Sequence, residues 1–437
     1  MVDDSPRNGG GNWTLYGIIA GVVLGMALGY VVSRNLVVRD GTVEGGAGWA
    51  LAVLNTTEWL GGLFLRALKM AIVPLILFSI MAGVGSLGDV TRLGRTGLHT
   101  VAYYLSTTSI AVVLGIVLVS VIRPGIGVDL GDKPAPDEVA PTAFGVVQRI
   151  VEDMIPANIL AGAVSDPPQV LSLITIALVF GAILTTLGER GARVLDAVST
   201  LSDATLKLVQ LIMLFAPIGI LGLVAYNLGK AGSEFFDELR RLIWFAFAVV
   251  LGLGIHGCLV LPLFLLLLAR RNVLAYAKGM TEAFLTAFGT DSSSATLPVT
   301  MRCVEHNNGV SNRAASFVLP LGATVNMDGT ALYEAVSVIF IAQSVGVELS
   351  AVQFVVIFLT ATLAAIGAAG IPHAGTVTMI LVLQAVGLGD HLYAIGTLLI
   401  IDWILDRFRT MVNIWGDAVG AAVVDRTALG AGDDVKH

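Results

Sequence analysis

A polar stripe lies in the last apolar segment of the sequence, which contains DRFRTMVNIWGD at residues 406–417. When this segment is placed on a helix at roughly 100° per residue, most of its polar side chains fall within an arc of about 100°. These side chains belong to Asp402, Asp406, Arg409, Thr410, Asn413 and Asp417. Arg407 falls just outside the arc, and almost all other positions are apolar. Because a charge at the bilayer centre costs about 2.5–3.5 kcal/mol, the stripe must face a polar interior.

The stripe has the chemistry needed to bind an α-amino acid with an acidic side chain. A guanidinium is a planar fork suited to one carboxylate, an aspartate accepts from an ammonium group, and an asparagine amide can help to hold a second carboxylate. Arg409, Asp406 and Asn413 supply these groups within about two helical turns. Asp417, at the end of the stripe, is left to hold a cation.

A second polar cluster interrupts an apolar segment in LPLGATVNMDGTALYEA, residues 319–335. Its glycines and polar members are Gly322, Asn326, Asp328, Gly329 and Thr330. This composition predicts a helix interrupted inside the membrane, where freed carbonyl groups and a carboxylate hold a hard cation. Asn and Asp could also simply cap the ends of the helices at the break. This structural role is compatible with a cation site, because both use the same residues.

Two further segments are predicted to be re-entrant hairpins, each a helix, a tip of small polar residues and a second helix. The first covers 273–308 with the tip DSSSATLP, and the second covers 351–388 with the tip GAAGIPHAG. Irregular backbone at membrane depth is tolerated only inside protein or beside a wet cavity, and paired interruptions mark the binding site of a transporter. Two long polar loops are the alternative, but the flanks are apolar right up to both tips.

The elements that carry these motifs are predicted to be membrane-spanning helices. Hydrophobic residues make up 56% of the 437 residues and charged residues 13%, and the mean hydropathy is +0.85. The apolar runs show no two-residue alternation, which argues against a membrane barrel. Before residue 270, candidate helices lie at about 13–33, 49–86, 98–122, 169–187, 196–228 and 240–269. The segment 123–168, rich in Pro, Gly and Asp, predicts an extramembrane connection.

The charge balance argues against a nucleic-acid partner, since the net charge is −7 and no basic cluster exceeds ARR at 269–271. The cysteines, Cys258 and Cys303, lie in or beside apolar segments without the spacing of metal ligands, and we interpret both as packing residues. No resident cofactor is expected.

Four ordered motifs make the chain similar to a known family. SSSATLP, NMDGTALYE, GAAGIP followed by AG, and DRFRTMVNIWGD together resemble the glutamate transporter family, the dicarboxylate/amino acid:cation symporters. This family includes the excitatory amino acid transporters, the neutral amino acid exchangers and the archaeal sodium/aspartate transporters. The resemblance extends from about residue 13 to residue 425. It implies an all-α, multi-pass protein of the cell membrane, with eight transmembrane helices, two re-entrant hairpins, cytoplasmic termini and a homotrimer that works as an elevator.

The resemblance also implies a division into a scaffold and a moving transport domain. Helices 1 and 2 (13–97) and the connection with helices 4 and 5 (124–230) would form the scaffold. Helix 3 (98–123) and the segment 231–425, with helices 6, 7 and 8 and both hairpins, would carry the substrate. We expect the polar tail, 426–437, to be disordered.

Matching by motif implies a substrate site and three sodium sites. The substrate would contact Ser292, Ser293, Thr330, Ile371, Gly375, Asp406, Arg409, Thr410 and Asn413. The first sodium would bind Gly322, Asn326, Asn413 and Asp417, and the second would bind Tyr104, Thr107, Thr108, Asn326 and Asp328. The third would bind carbonyl groups near Thr324, Ala365 and Ala368. Hydroxyl, carbonyl and carboxylate oxygens suit a hard cation.

Three positions bear on substrate and ion coupling within the resemblance. Arg409 stands where family members with acidic substrates have arginine, which favours glutamate or aspartate. Glu334 stands where the eukaryotic acidic transporters carry the co-transported proton, and a buried carboxyl group can cross the membrane neutral. Arg407 stands in the last helix, as in the eukaryotic members, an arrangement compatible with potassium counter-transport.

Two tip residues depart from the family pattern. We expect Asp291 to pair with Arg407 across the first tip, because an unpaired arginine there would repel bound cations. His373 replaces the glutamine of the eukaryotic transporters. A histidine can sense pH near neutrality, but we interpret this one as a polar tip residue without that role.

The resulting expectation is a secondary transporter that imports acidic amino acids with sodium and protons. A proton-only symporter or a C4-dicarboxylate carrier is the alternative, although Asp406 would have no ammonium group to bind in a dicarboxylate. Anion leakage would accompany transport in either case. An intramembrane hydrolase is disfavoured, since Ser292 has only Asp291 beside it as a potential base and the polar stripe would be left unexplained.

Overall fold

The computed structural model describes residues 10–39, 42–86, 95–126, 151–152, 154–155, 158–164, 169–232, 235–367 and 374–429. In these ranges the protein is helical apart from one antiparallel pair of strands, β1 (Leu36–Arg39) and β2 (Thr42–Gly46). The helices of the first half are α1 (Gly10–Ser33), α2 (Gly48–Met70), α3 (Ile72–Ser86), α4 (Arg95–Ile122), α5 (Ile159–Val164), α6 (Val170–Thr186), α7 (Gly188–Met213) and α8 (Ala216–Lys230).

The helices of the second half are α9 (Phe235–Ile255), α10 (Val273–Gly279), α11 (Thr281–Thr290), α12 (Ser293–Arg302), α13 (Asn312–Val325), α14 (Asp328–Ser344), α15 (Ala351–Gly367), α16 (Ala374–Ala385) and α17 (Ile395–Ala428). The chain continues from α9 through two π-helical turns, His256–Val260 and Leu265–Ala269, with one α-helical turn between them. A π-helical turn also extends α12 over Cys303–Asn307.

Proline divides two of the predicted helices. The segment expected to be one helix over 49–86 is α2 and α3, bent by 40°, and the segment expected over 196–228 belongs to α7 and α8, bent by 58°. A proline ring clashes with the carbonyl group four residues earlier. Pro74 therefore ends α2 at Met70, and Pro217 ends α7 at Met213. The predicted boundaries were wrong at these two places because the apolar pattern continues across each break.

Long apolar helices confirm the membrane class of the protein. Four helical stretches of the described residues are long and apolar enough to cross a bilayer, and two more follow if each bent pair is one span. The four stretches are Tyr16–Ser33, Thr96–Ile122, Phe236–Ala269 and Asn312–Ser344. The last of these is formed by α13 and α14, and within it every residue of α14 from Asp328 to Ala342 is buried. It is the centre around which α4, α9, α15 and α17 pack.

The predicted hairpins are present as packed pairs of helices. In the first, α11 and α12 are joined by two residues: Asp291, in the left-handed region with φ of 56°, and Ser292, whose side chain accepts from the N–H of Ala295. In the second, α15 packs against α16, and the tip, 368–373, lies outside the described residues.

Two terminal or connecting segments were predicted in part. Most of the connection 123–168 lies outside the described residues, which include α5. The last helix extends to Ala428, so the predicted tail begins within α17, and residues 430–437 lie outside the described part.

Candidate functional site

Arg409 is fully buried on α17 and lies between two carboxylates of the same helix. Its Nε donates to Oδ1 of Asp406 over 3.1 Å, and its Nη2 lies 3.0 Å from Oδ1 of Asp402. The guanidinium also stacks 3.8 Å from the ring centroid of Tyr333 on α14. A guanidinium away from water is stable only with such partners, so Arg409, Asp402 and Asp406 of the predicted stripe form a network of paired charges.

The second hairpin reaches this network through its second helix, α16. A Cβ added to Gly375 would lie 3.0 Å from Nη1 of Arg409 and 3.4 Å from Cγ2 of Thr330. The hydroxyl of Thr376 donates to Oδ2 of Asp402 over 3.2 Å. The structure thus brings the predicted substrate residues Gly375, Arg409 and Thr330 together, whereas Ile371 lies outside the described residues.

The tip of the first hairpin approaches α17 at Thr410. The hydroxyl of Thr410 lies 3.5 Å from Oδ1 of Asp291, and both residues are buried. Ser292 and Ser293 follow directly at the buried start of α12, where Ser292 caps the helix. The helix begins at the predicted substrate serines, so its first N–H groups lie at the same tip.

Asn413 links α17 to the start of α14. Its Oδ1 accepts from the N–H of Gly329 over 2.8 Å, and its Nδ2 donates to the hydroxyl of Thr330 over 3.2 Å. Gly329 is required here because a Cβ would lie 2.8 Å from the carbonyl oxygen of Arg409. The predicted substrate residues Thr330 and Asn413 therefore lie in direct contact.

Three of the four residues of the predicted first sodium site converge at the break between α13 and α14. Asn326 and Met327 have non-helical backbone angles, which confirms the predicted interruption. Asn326 donates through Nδ2 to Oδ1 of Asp417 over 3.1 Å. A Cβ on Gly322 would overlap that same oxygen of Asp417. Gly322, Asn326 and Asp417 are thus gathered at one buried point.

Asp328 is the focus of the predicted second sodium site. Its Oδ1 accepts from Thr108 over 2.7 Å and from Thr107 over 3.3 Å. Thr107 also lies 3.3 Å from Oδ1 of Asn326. Tyr104, on the same helix α4, instead donates its hydroxyl to the carbonyl of Val318 over 2.6 Å. The carboxylate, amide and hydroxyl oxygens predicted for this cation are brought together, with Tyr104 directed at the neighbouring turn of α13.

The predicted third sodium site is described only in part. The hydroxyl of Thr324 donates to the carbonyl of Leu321 over 3.1 Å, Ala365 is buried, and Ala368 lies outside the described residues. This site stays a prediction.

Glu334 is fully buried two turns into α14. Neither oxygen of its carboxyl group accepts a well-formed hydrogen bond from the described residues. A buried carboxylate with so little hydrogen bonding is costly to keep ionised, so the position suits a group that takes up a proton.

Arg407, on α17, lies against the C-terminal end of α11 in the first hairpin. Its Nη1 donates to the carbonyl oxygens of Phe288 and Gly289, in the last turn of α11, and its guanidinium lies 5.8 Å from the ring centroid of Phe288. A cation is favourable at a helix C-terminus. Asp291 caps the same helix, but its pairing with Arg407 stays a prediction, and His373 lies outside the described residues.

Sequence reasoning missed two partners in this region. Asp402 was counted in the stripe without a role, yet it binds Arg409 and Thr376. His256, a lone histidine in the apolar segment LGLGIHGCLV, lies 3.0 Å from Oδ2 of Asp328. The signal available in the sequence was an unexplained titratable side chain in a membrane span. The partner of that histidine, 72 residues away, could not be read from periodicity.

A break in a buried membrane helix, flanked by paired charges and hydroxyl groups, is the arrangement in which secondary transporters hold substrate and ions. The profile of the sodium:dicarboxylate symporter family matches residues 12–427. This chain belongs to the sodium:dicarboxylate symporter family. As a member, it is a multi-pass membrane transporter and not an enzyme.

Several relatives of this chain are excitatory amino acid transporters. Mouse excitatory amino acid transporter 3 is 40% identical over 95% of this chain and 85% of the relative. Excitatory amino acid transporter 1 of Ambystoma tigrinum is 36% identical over 98% of this chain and 85% of the relative. The putative sodium-dependent excitatory amino acid transporter glt-4 of Caenorhabditis elegans is 37% identical over 95% of this chain and 89% of the relative. The sodium:dicarboxylate symporter fold therefore extends over nearly the whole chain.

Proposed function

We propose that this protein imports acidic amino acids, glutamate or aspartate, by symport with sodium and protons. The observation that carries the proposal is the buried network of Arg409, Asp406 and Asp402, which lies between the two hairpins. The names of the relatives, excitatory amino acid transporters, support the same substrate class.

An amino acid substrate carries partners for both halves of this network. Its side-chain carboxylate can replace Asp406 as a partner of Arg409, and its ammonium group can replace Arg409 as a partner of Asp406. The charges then remain paired throughout, which matters because an unpaired charge at such a buried site costs several kcal/mol. Asn413, Thr330 and the N–H groups at the start of α12 remain to hold the second carboxylate.

Sodium is assigned as cargo at Asp417 and Asp328. The hydroxyl groups of Thr107 and Thr108 on α4 contact Asp328, and the side-chain amide of Asn326, at the end of α13, contacts Asp417. Carboxylate, amide and hydroxyl oxygens are the ligands that a hard cation takes. The proton is assigned to Glu334, whose buried side chain would move across the membrane neutral. Potassium counter-transport at Arg407, a homotrimer, an elevator movement and cytoplasmic termini complete the proposal, and these rest on the family resemblance.

Uptake by proteoliposomes tests substrate and ions together. The purified protein is given radiolabelled L-aspartate, L-glutamate or succinate, with sodium, proton and potassium gradients imposed one at a time. We expect both amino acids to accumulate with an inward sodium gradient and faster with acid outside, and we expect succinate to be excluded.

Two results would contradict the proposal. Sodium-driven accumulation of succinate at the rate of aspartate would indicate the dicarboxylate carrier, because that substrate lacks the ammonium group expected at Asp406. Accumulation driven by a proton gradient without sodium would indicate a proton-only symporter.

The variant Arg302→Gln, at an exposed ion pair with Glu282, is the control for loss of an arginine away from the site.

A further inference from the structure

His256 is a buried group that the proposed transport cycle does not use. It is fully buried in the span that continues α9, and its Nε2 lies 3.0 Å from Oδ2 of the equally buried Asp328. The other carboxylate oxygen of Asp328 accepts from Thr107 and Thr108. The two oxygens of Asp328 are thus held from opposite sides, by α4 and by the span of α9.

The backbone around His256 explains why the imidazole is held at this place. The N–H of Leu261 bonds the carbonyl of His256, which makes the turn π-helical, and Pro262 has no N–H to offer the next carbonyl, that of Gly257. The indole of Trp415 on α17 donates to that carbonyl over 3.0 Å. The turn that carries His256 is therefore anchored to the helix that carries Asp417.

The contact with the carboxylate of Asp328 also assigns the hydrogen of the His256 ring to one of its two nitrogens. A carboxylate accepts and cannot donate, so Nε2 carries the hydrogen that bonds Asp328, and in the neutral ring Nδ1 is then bare. Nδ1 has no hydrogen-bond partner among the described residues. The histidine is consequently held by its contact with Asp328 and by packing, rather than by a second polar partner in that part of the chain.

From these contacts we infer that His256 is a positioning residue that orients the carboxylate of Asp328 for sodium at the second predicted cation site. The inference rests on the proposed function. Groups that hydrogen-bond a metal ligand fix its orientation, and their loss typically costs about 10–100-fold in metal affinity. No change in the protonation of His256 is required, since the neutral ring already supplies the donor.

Three substitutions of His256 distinguish the effect of its hydrogen-bond donor from the effect of the shape of its ring. His256→Gln places an amide nitrogen near the position of Nε2, His256→Asn places it near Nδ1, and His256→Leu removes the donor while filling the space. His391→Gln, in the 3₁₀ turn before α17, is the control for a histidine substitution outside the cation site.

The measurements are sodium-dependent thermal stabilisation of the purified protein without amino acid, and the sodium concentration for half-maximal aspartate uptake. We expect both half-saturation values to rise by about 10-fold or more in His256→Asn and His256→Leu. The change in His256→Gln should be clearly smaller. The KM for aspartate at saturating sodium should change less than the sodium dependence.

Equal sodium dependence in all three variants and the wild type, with only melting temperatures lowered, would overturn the inference and leave His256 a packing residue. If His256→Leu does not fold, the comparison of the Gln and Asn variants still decides. If sodium neither stabilises the wild-type protein nor drives its uptake of aspartate, the result contradicts the proposed function instead. Failure of the inference and failure of the proposed function can therefore be told apart.

Discussion

Two helix contacts in this protein are built by opposite means. Helices α1 and α8 meet along a row of glycines, Gly17, Gly21, Gly25 and Gly29, where an added Cβ would touch α8. Helices α14 and α17 meet instead through Asn413, Thr330 and Gly329, and through Arg409 over the ring of Tyr333. The first contact depends on the absence of side chains, and the second depends on polar side chains that have partners.

The difference separates regions that hold the fold from regions that bind. In a membrane, lipid tails are as apolar as leucine, so close backbone approach at small residues is an efficient way to hold helices together. Polar and charged residues inside a span are expensive and must be paired. A protein that keeps Arg409, Asp328 and Asp417 buried uses them for more than cohesion. Substitutions in the two regions should therefore change different measured quantities.

The largest effect is expected for Arg409→Gln. The change removes the partner of Asp402 and Asp406, and breaking a buried pair in this way costs about 3–5 kcal/mol. We expect kcat/KM for aspartate uptake to fall at least about 100-fold, with a relative gain for neutral amino acids such as serine. Uptake in proteoliposomes measures this, with Arg302→Gln as the control. Wild-type aspartate uptake by Arg409→Gln would refute the assignment of the side-chain carboxylate.

A smaller effect is expected for Asp417→Asn, which keeps the shape of the side chain and removes its charge. The sodium concentration for half-maximal uptake should rise by about 10-fold or more, since even outer partners of metal ligands contribute that much. Asp425→Asn is a matched control on the same helix, where Asp425 binds Arg271 and Ser311 away from the site. An equal sodium requirement in both variants would contradict the first cation site.

Glu334→Gln should change the coupling and leave binding largely intact. In the wild type, uptake of aspartate should fall as the external pH is raised, because fewer protons are available to load Glu334. The glutamine variant resembles the protonated carboxyl group at every pH, so its uptake should no longer depend on pH. His373→Gln is the comparison, and it should keep the wild-type profile. If His373→Gln loses the pH dependence and Glu334→Gln keeps it, the proton assignment is wrong.

The smallest functional effect is expected where glycines pack. Gly21→Ala would place a methyl group against the carbonyl oxygen of Pro217, whereas Gly62→Ala on α2 meets nothing within 4 Å. Overpacking typically costs about 1–3 kcal/mol, so Gly21→Ala should lower the melting temperature and Gly62→Ala should not. Neither should change the sodium dependence of uptake. A changed sodium dependence in Gly21→Ala alone would mean that the two regions are not independent.

Much of the architecture could be predicted from local patterns. Helix periodicity placed six polar residues on one face of α17, and the Asn-Met-Asp cluster marked the break before α14. Tips rich in serine, glycine and proline marked both hairpins. The boundaries at Pro74 and Pro217 differ from the prediction because the apolar pattern continues across both prolines, whereas the proline ring ends the helix four residues earlier.

The sequence by itself determined the membrane class, the polar face of the last helix and the residue types available for substrate and cations. These properties depend on composition and on spacing within one element, which the chain order contains directly. Only the tertiary structure decided that His256 meets Asp328, that Gly375 lies on Arg409 and that Arg407 binds the end of α11. Each of these pairs joins different helices, and their meeting depends on how the helices are rotated and shifted against one another, which no local period specifies.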